Sequence, residues 1–524
     1  MTKRLAHLLL IGILLGSALN AAGKIDSDMN WKIRREATDN SHVMFLMHHL
    51  TDIHGPRLTG SPGFTAACTW AMDQLKQWGM QNEHLEKWDF GHPGWGSDRY
   101  SVRVVSPFRS ILNARVIAWT PGTNGTVRAP VIQMKLPEKP TQEILAAYLD
   151  RNRVNVRGKV VLAGAHKVIP ISFNPSSKRR DESELKTQYD PENPAPAGPP
   201  RAAEQAADGP KILEPREIDE KIDAFLVEAG ALIKVVDAAR EHGQIGISAN
   251  RTYNCSRAVP GIVIRNEDYG RIARTLSDGT PVEMEIEIVN SIYDMQPSLN
   301  VVAEIPGTDR QQEVVILGAH IDSWHIGTGA TDNATGVAVM MESMRVLRKL
   351  GIKPRRTIRI ALWGGEEQGL LGSQAYVKDH FGTFEAPKPE FNNLSAYINI
   401  DSGTGRIRGA SVFGPPAAAA ILRETLAPFE DMGVVGVNST NDRNHRGTDS
   451  TSFSWAGLAG INLSQDPLEY FSHSWHTDLD TYERVLEDDL KQCVIAAASL
   501  AYHLATRDEM VPRFTGETMP KPGK

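Results

Sequence analysis

The sequence predicts an α/β protein built on a layered sheet, and three observations carry that prediction. From Ser298 onward, apolar strand-like runs alternate with helical patterns. Several of those runs stop at a residue able to bind a metal or move a proton. The composition, 41% apolar and 23% charged over 524 residues, is that of a globular chain long enough for two or three domains.

At the N-terminus, Lys3 and Arg4 precede an apolar run from Leu8 to Leu15 and small residues from Gly16 to Ala22. This is the layout of a secretory signal peptide over 1–22, too short for the ~20 residues of a membrane span. An exported protein, periplasmic or secreted, with no stable membrane span after cleavage is therefore expected. Residues near 31–85 read as helical, interrupted by the Gly/Pro-rich loop HLTDIHGPRLTGSPGF ahead of a helix over Ala66–Trp78. From Asn113 short β-rich runs take over (ARVIAW, PVIQM, GKVVLAGA). A helical AFLVEAGALIKVVDAAREHG and the strand-like IGISA, PGIVIRN and VEMEIEIVN follow. Residues 113–290 are thus expected to form a separate α+β module. Inside it, the stretch from Pro170 to Pro215 holds nine of the 31 prolines and the charged run SSKRRDESELK. It reads as an exposed excursion or a flap, and a flap over the cleft would exclude long substrates.

The net charge of −6 has no basic excess, which argues against nucleic acid as a partner. Cys68, Cys255 and Cys493 are too few for a disulfide framework or a thiolate metal site. Cys493 lies at helical spacing among Leu486, Leu490 and Leu500, as a buried thiol would, while Cys68 and Cys255 are free to pair outside the cytosol. Any metal must be held by histidines and carboxylates.

Those residues gather between Val314 and Thr481. VVILGA runs into His320 and Asp322, TIRIALW runs through Gly364 and Gly365 into Glu366 and Glu367, and AYINI ends in Asp401. In open α/β sheets, ligands sit at the carboxyl ends of strands, so three strands would deliver five ionisable groups to one rim. Asp332 lies in a Gly/Thr-rich turn before a helix whose Val337, Met340, Met341, Met344 and Leu347 follow the 3.6 period and mark core. SHSWHTDLDT adds His473 and His476, of which one is needed; His325 is not required by the pattern. Mixed imidazole and carboxylate donors suit zinc, and less selectively manganese or cobalt. Of the adjacent Glu366 and Glu367, one can grip a metal while the other serves as a general base.

In HIDSWHIGTGATDN, WGGEEQGLLGS, INIDSG, GTDSTSF and HTDLDT, with GPRLTGSP upstream, the chain resembles the co-catalytic zinc exopeptidases of metallopeptidase family 28. It is most similar to their carboxypeptidase Q branch. The resemblance implies a three-layer α/β/α zinc-exopeptidase sheet from 23–112 and 291–510, an inserted protease-associated domain over 113–290, and a tail at 511–524. It implies two Zn2+ per chain: Asp332 bridges both, His320 and Asp401 complete one site, and Glu367 and His476 the other. By the same resemblance Glu366 is the general base, Asp322 orients His320, and the Asp332–Asn333 peptide is cis; Thr331 stands where many relatives have an acidic residue. Tyr470 is a candidate to steady the oxyanion. The implied reaction is hydrolysis of short unblocked peptides, as aminopeptidase or dipeptidase, with carboxypeptidase as the minority reading. Short peptides and, as an option, a second copy of the chain are the expected partners. The rivals are glutaminyl cyclase, with a single zinc, and a silent receptor-like binding protein of the transferrin receptor kind.

Overall fold

The computed structural model describes residues 25–173, 179–191 and 210–521, so the expected signal segment lies outside the described residues. The main sheet has eight strands: β1 (Gln81–Trp88), β2 (Ser298–Ile305), β3 (Arg310–His320), β4 (Arg356–Trp363), β5 (Leu394–Ile400), β6 (Ile407–Phe413), β7 (Gly436–Thr440) and β8 (Gly460–Gln465). Their order is β1-β2-β4-β3-β5-β8-β6-β7. The central strands β4, β3, β5 and β8 run parallel, with His320 opposite Trp363 and Gly318 opposite Asn399. Their carboxyl ends therefore share one rim.

Period-two alternation explains why this sheet is covered on both faces. Val315, Leu317 and Ala319 of β3 pack with Ile358, Ile360 and Leu362 of β4 into one core, while Val314 and Ile316 join Ala361 and Trp363 in another. A one-residue slip would exchange every side chain between these layers, so register is strongly specified. Helices Ser27–Asp39, Pro62–Gln77, Thr335–Lys349, Pro416–Leu426 and Glu487–Thr506 supply one layer; Leu371–His380 and Ser450–Trp455 contribute to the other. This is the α/β layering expected. Met340, Met341 and Met344 are core, as their spacing indicated. Residues 81–85, expected to continue a helix, instead open β1 because they pair antiparallel with β2.

A second eight-stranded sheet lies within 94–293 and draws in Gly94–Ser106, ahead of the boundary expected near 113. Gly94–Ser106 pairs along its length with Glu283–Tyr293, which places the start and finish of this sheet side by side. The run expected as one helix over 224–243 is split: the helix Pro215–Ala229 ends at Gly230 in the left-handed region (φ 75°), and Ile233–Asp237 is a strand. Gly230 tolerates that backbone, and the β-branched run after it fits a strand. The excursion is also more anchored than its composition suggests. Its helix Glu182–Gln188 is followed by the buried Tyr189, which packs on Gly409 and Gly436 of the main sheet. Arg179 pairs with Asp489 (2.7 Å) and Asp466 (3.3 Å). All three cysteines are free: Cys68 and Cys493 are buried in the main-sheet core and Cys255 packs against the second core, so Cys68 and Cys255 do not pair. Among the described residues no helix is long and apolar enough to cross a membrane.

Candidate metal centre

Three parallel strands place the site. β3 ends at His320, Asp401 directly follows β5, and β4 leads through Gly364 and Gly365 to Glu366 and Glu367. The double glycine is needed. A Cβ on Gly364 would meet the Leu299 carbonyl oxygen at 2.5 Å, and Gly365 has φ 71° with the Trp88 ring 2.5 Å from where its Cβ would stand. The chain can therefore turn sharply off the strand and send two consecutive carboxylates into the site.

Asp332 sits at the centre. Its Oδ1 lies 3.2 Å from His320 Nε2, and its Oδ2 lies 3.4 Å from His476 Nε2. His320 Nε2 is also 3.5 Å from Asp401 Oδ1, and His476 Nε2 is 3.0 Å from Glu367 Oε2. The two oxygens of one carboxylate thus face two separate donor sets. The Asp332–Asn333 peptide is cis. His320 Nε2, Asp332 Oδ2, Glu367 Oε1 and Asp401 Oδ1 are buried with no hydrogen-bond partner. Buried polar atoms are rarely left so, and four converging ones match the needs of a metal. Glu366 lines the same cavity, of about 370 Å³, as Asp332, Glu367, Asp401 and His476.

The electrostatics fit a cation as well. Burial raises the Glu366 pKa well above its usual range; His320 opposes this, while Asp401, Asp449 and Glu367 add to it. Burial and the neighbouring Asp332 push Glu367 up to about 7. Burial disfavours charge on His320 and His476, but carboxylates outweigh it and hold both pKa values above the usual imidazole range. Crowded carboxylates that resist ionising together are relieved by a divalent cation.

The supporting groups act mostly through the backbone. Asp322 is fully buried; its carboxylate accepts from the amides of Glu366 (3.2 Å) and Glu367 (3.3 Å) and from Thr59 Oγ1 (3.0 Å). His320 Nδ1 lies 3.1 Å from the Asp322 carbonyl oxygen and 3.6 Å from its carboxylate, so the main chain of Asp322 makes the closer contact with the ring. His325 is 2.7 Å from the Val116 carbonyl and His473 Nδ1 is 2.9 Å from Ser472 Oγ; neither lines the cavity.

Residues 300–501 match Peptidase family M28. Carboxypeptidase Q of Mus musculus is 28% identical over 472 residues, 88% of this chain and 86% of that protein. The chain is a metallopeptidase whose residues 300–501 match that family. Among solved structures, the fold is similar to a Peptidase M28 precursor from Shewanella amazonensis (TM-score 0.64, 23% identity, 94% of this chain and 99% of that one). It is also similar to a zinc aminopeptidase from Bacillus subtilis (TM-score 0.56, 17% identity, 91% and 98%). Zinc is the metal the family implies for the peptidase, and the donor set fits it.

Sequence reasoning assigned no role to several residues that build this peptidase site. Asp480 accepts from Thr331 N (2.6 Å), Thr331 Oγ1 (2.8 Å) and Asp332 N (3.2 Å), and so sets the turn that carries Asp332. Arg57, buried, donates to the carbonyls of Leu50, Ile321, Thr328 and Gly329 and ties down the loops beneath the rim. Thr448 Oγ1 donates to Asp401 Oδ2 (2.6 Å). These three sit inside strings the sequence singles out, GPRLTGSP, GTDSTSF and HTDLDT. The fourth support carried no signal. IGISA, expected as a strand, makes only isolated bridges, and Ile247 N donates to the His476 carbonyl (2.9 Å). The second sheet's module thereby clamps the His476 loop, where His476 holds a left-handed φ of 56° against the stacked Trp475 ring.

Proposed function

We propose that the protein is an exported exopeptidase that uses two zinc ions to hydrolyse short peptides with free ends, as an aminopeptidase or dipeptidase. One observation carries the reading: the two oxygens of Asp332 divide the other donors into a His320–Asp401 set and a His476–Glu367 set. In this reading His320 and Asp401 would hold one zinc and His476 and Glu367 the other, with Asp332 contributing to both. Bound zinc supplies a lowered water pKa, towards ~7, and polarises a carbonyl oxygen. Glu366, whose carboxylate shares the cavity and has a raised proton affinity, takes a proton from the attacking water and delivers it to the departing amine. Asp322 fixes the backbone from which Glu366 and Glu367 project. Burial, then Asp332 and Asp401, keep the Tyr470 hydroxyl protonated, so it is a donor on the cavity wall for the oxygen that gains charge. Carboxypeptidase action on the same centre is the second reading, favoured by the name of the carboxypeptidase Q relatives.

The test pairs metal analysis of the purified chain with free, N-blocked and C-blocked dipeptides. Glu366→Gln is expected to keep both metals and lower turnover by at least ~10²-fold, as loss of a general base does. Near-normal turnover would refute the assigned role, and one metal per chain would refute the paired centre.

A further inference from the structure

The cavity that gathers the carboxylates has one cationic wall. Arg446, in the loop between β7 and the helix Ser450–Trp455, lines it together with Glu366, Asp401 and Tyr470. The residue is exposed, yet it is fixed. Its backbone holds a left-handed φ of 79°, unfavourable for any side chain with a Cβ. Nε donates to His445 Nε2 (3.2 Å) and Nη2 to Ser464 Oγ (3.1 Å). His445 is anchored in turn, with Nε2 2.9 Å from Ser411 Oγ. Burial, then the charge of Arg446, pulls this imidazole down to about 4, so the ring stays neutral and accepts.

No carboxylate of the described residues forms an ion pair with Arg446, and its Nη1 makes no hydrogen bond to them. Asp401, the carboxylate nearest in role, is already committed: Oδ2 accepts from Thr448 and Oδ1 faces His320. Burial holds the Arg446 pKa below its usual range; Tyr189 opposes this and Arg180, of like sign, adds to it, both from the anchored excursion. A solvated surface arginine would need neither two anchors nor a left-handed backbone. A guanidinium oriented by two neutral acceptors, unpaired and open to a cavity, is suited to an incoming carboxylate.

The geometry points to Arg446 as the group that receives a carboxylate of the substrate, which makes peptides with a negative charge on the residue released by hydrolysis the preferred class. This rests on the metallopeptidase reading of the same cavity. The carboxylate is either the free C-terminus of a dipeptide or an acidic side chain, and both present the same anion.

Four probes separate the sources: alanyl-alanine, alanyl-alaninamide, alanyl-glutamic acid amide and alanyl-glutamine amide. Arg446→Gln is expected to raise KM for carboxylate-bearing probes roughly tenfold to a hundredfold more than for the neutral ones, the scale of a lost charge-assisted hydrogen bond. Arg446→Lys should recover part of that loss, which a folding defect would not allow. A selective loss on alanyl-alanine assigns the C-terminal carboxylate; one on the glutamic acid amide assigns the side chain. Equal changes for charged and neutral probes, or none, overturn the proposal. Calorimetric binding of the same probes to the zinc-loaded Glu366→Gln chain, with and without the Arg446 change, reads the contact without turnover. If the wild type cleaves none of the probes, the peptidase reading fails by itself while the binding data still decide the role of Arg446.

Discussion

Asp478 offers the sharpest test of how the second module supports the metal centre. Its Oδ1 accepts from Ile245 N (2.9 Å), its own N–H donates to the Ile245 carbonyl (3.0 Å), and its Oδ2 lies 3.1 Å from Arg115 Nη2. With the Ile247 N–H to His476 carbonyl bond, these contacts fix the backbone two residues from His476, the proposed metal donor. Asp478→Ala leaves the Ile245 amide, on a fully buried residue, without an acceptor, a loss of about 1–3 kcal/mol. It also removes the half-buried ion pair, worth about 1 kcal/mol. Two main-chain bonds between the segments survive, so only part of this reaches His476, and zinc affinity at that donor set should fall roughly tenfold to a hundredfold. Asp478→Asn keeps the acceptor and loses only the charge, so its effect should be about fivefold or less. Zinc retained against graded chelator, with circular dichroism as the check on folding, measures both. If Asp478→Ala holds zinc like the wild type at every chelator concentration, the clamp does not position His476.

Three further outcomes follow from the same geometry. On the proposed two-zinc reading, Asp332→Ala should abolish binding of both metals, whereas His476→Ala should leave the His320–Asp401 set occupied, a difference read by metal content per chain. In the metal-free protein, Glu367 and Asp480 are each pushed up to about 7, by burial and then by Asp332. A raised folded-state pKa contributes stability that is complete below the unfolded value near 4 and is lost as pH rises through about 7. The melting temperature of the metal-free protein should therefore fall between about pH 4 and 7, and zinc affinity should rise over the same window as protons leave Glu367. Scanning calorimetry with and without chelator tests the sign. Gly365→Ala must adopt φ 71° with its Cβ 2.5 Å from the Trp88 ring, a cost of about 1–2 kcal/mol from the backbone alone. Turnover should drop with the overall fold retained; wild-type kinetics would show that the turn does not aim Glu366 and Glu367.

The strand ends were legible because apolar period and chemical type coincide there. β3, β4 and β5 each carry a mostly apolar run, and a run that stops at His320, Glu366 or Asp401 marks a rim without knowledge of its neighbours. The Asp332 turn and the His476 loop were legible only as strings, since no period connects them to the strands. The helix expected over 224–243 failed at Gly230, where a left-handed cap and the pairing of Ile233–Asp237 with Val160–Ala163 outweighed the apolar spacing. The excursion is largely exposed where it is described, as proline and charge indicate. Yet it also forms a short helix and is anchored, since Tyr189 and Arg179 find buried partners more than two hundred residues away.

By itself, the sequence determined the layered α/β class and the chemical kinds of donor, because both are properties of local order: side-chain period along a strand and residue type at its end. Only the tertiary structure decided which oxygen of Asp332 faces which histidine, that 245–247 holds the His476 loop, and that Arg446 stands unpaired among the carboxylates. Those relations join segments far apart in the chain, and their energies depend on distance, burial and orientation, which residue order alone does not specify.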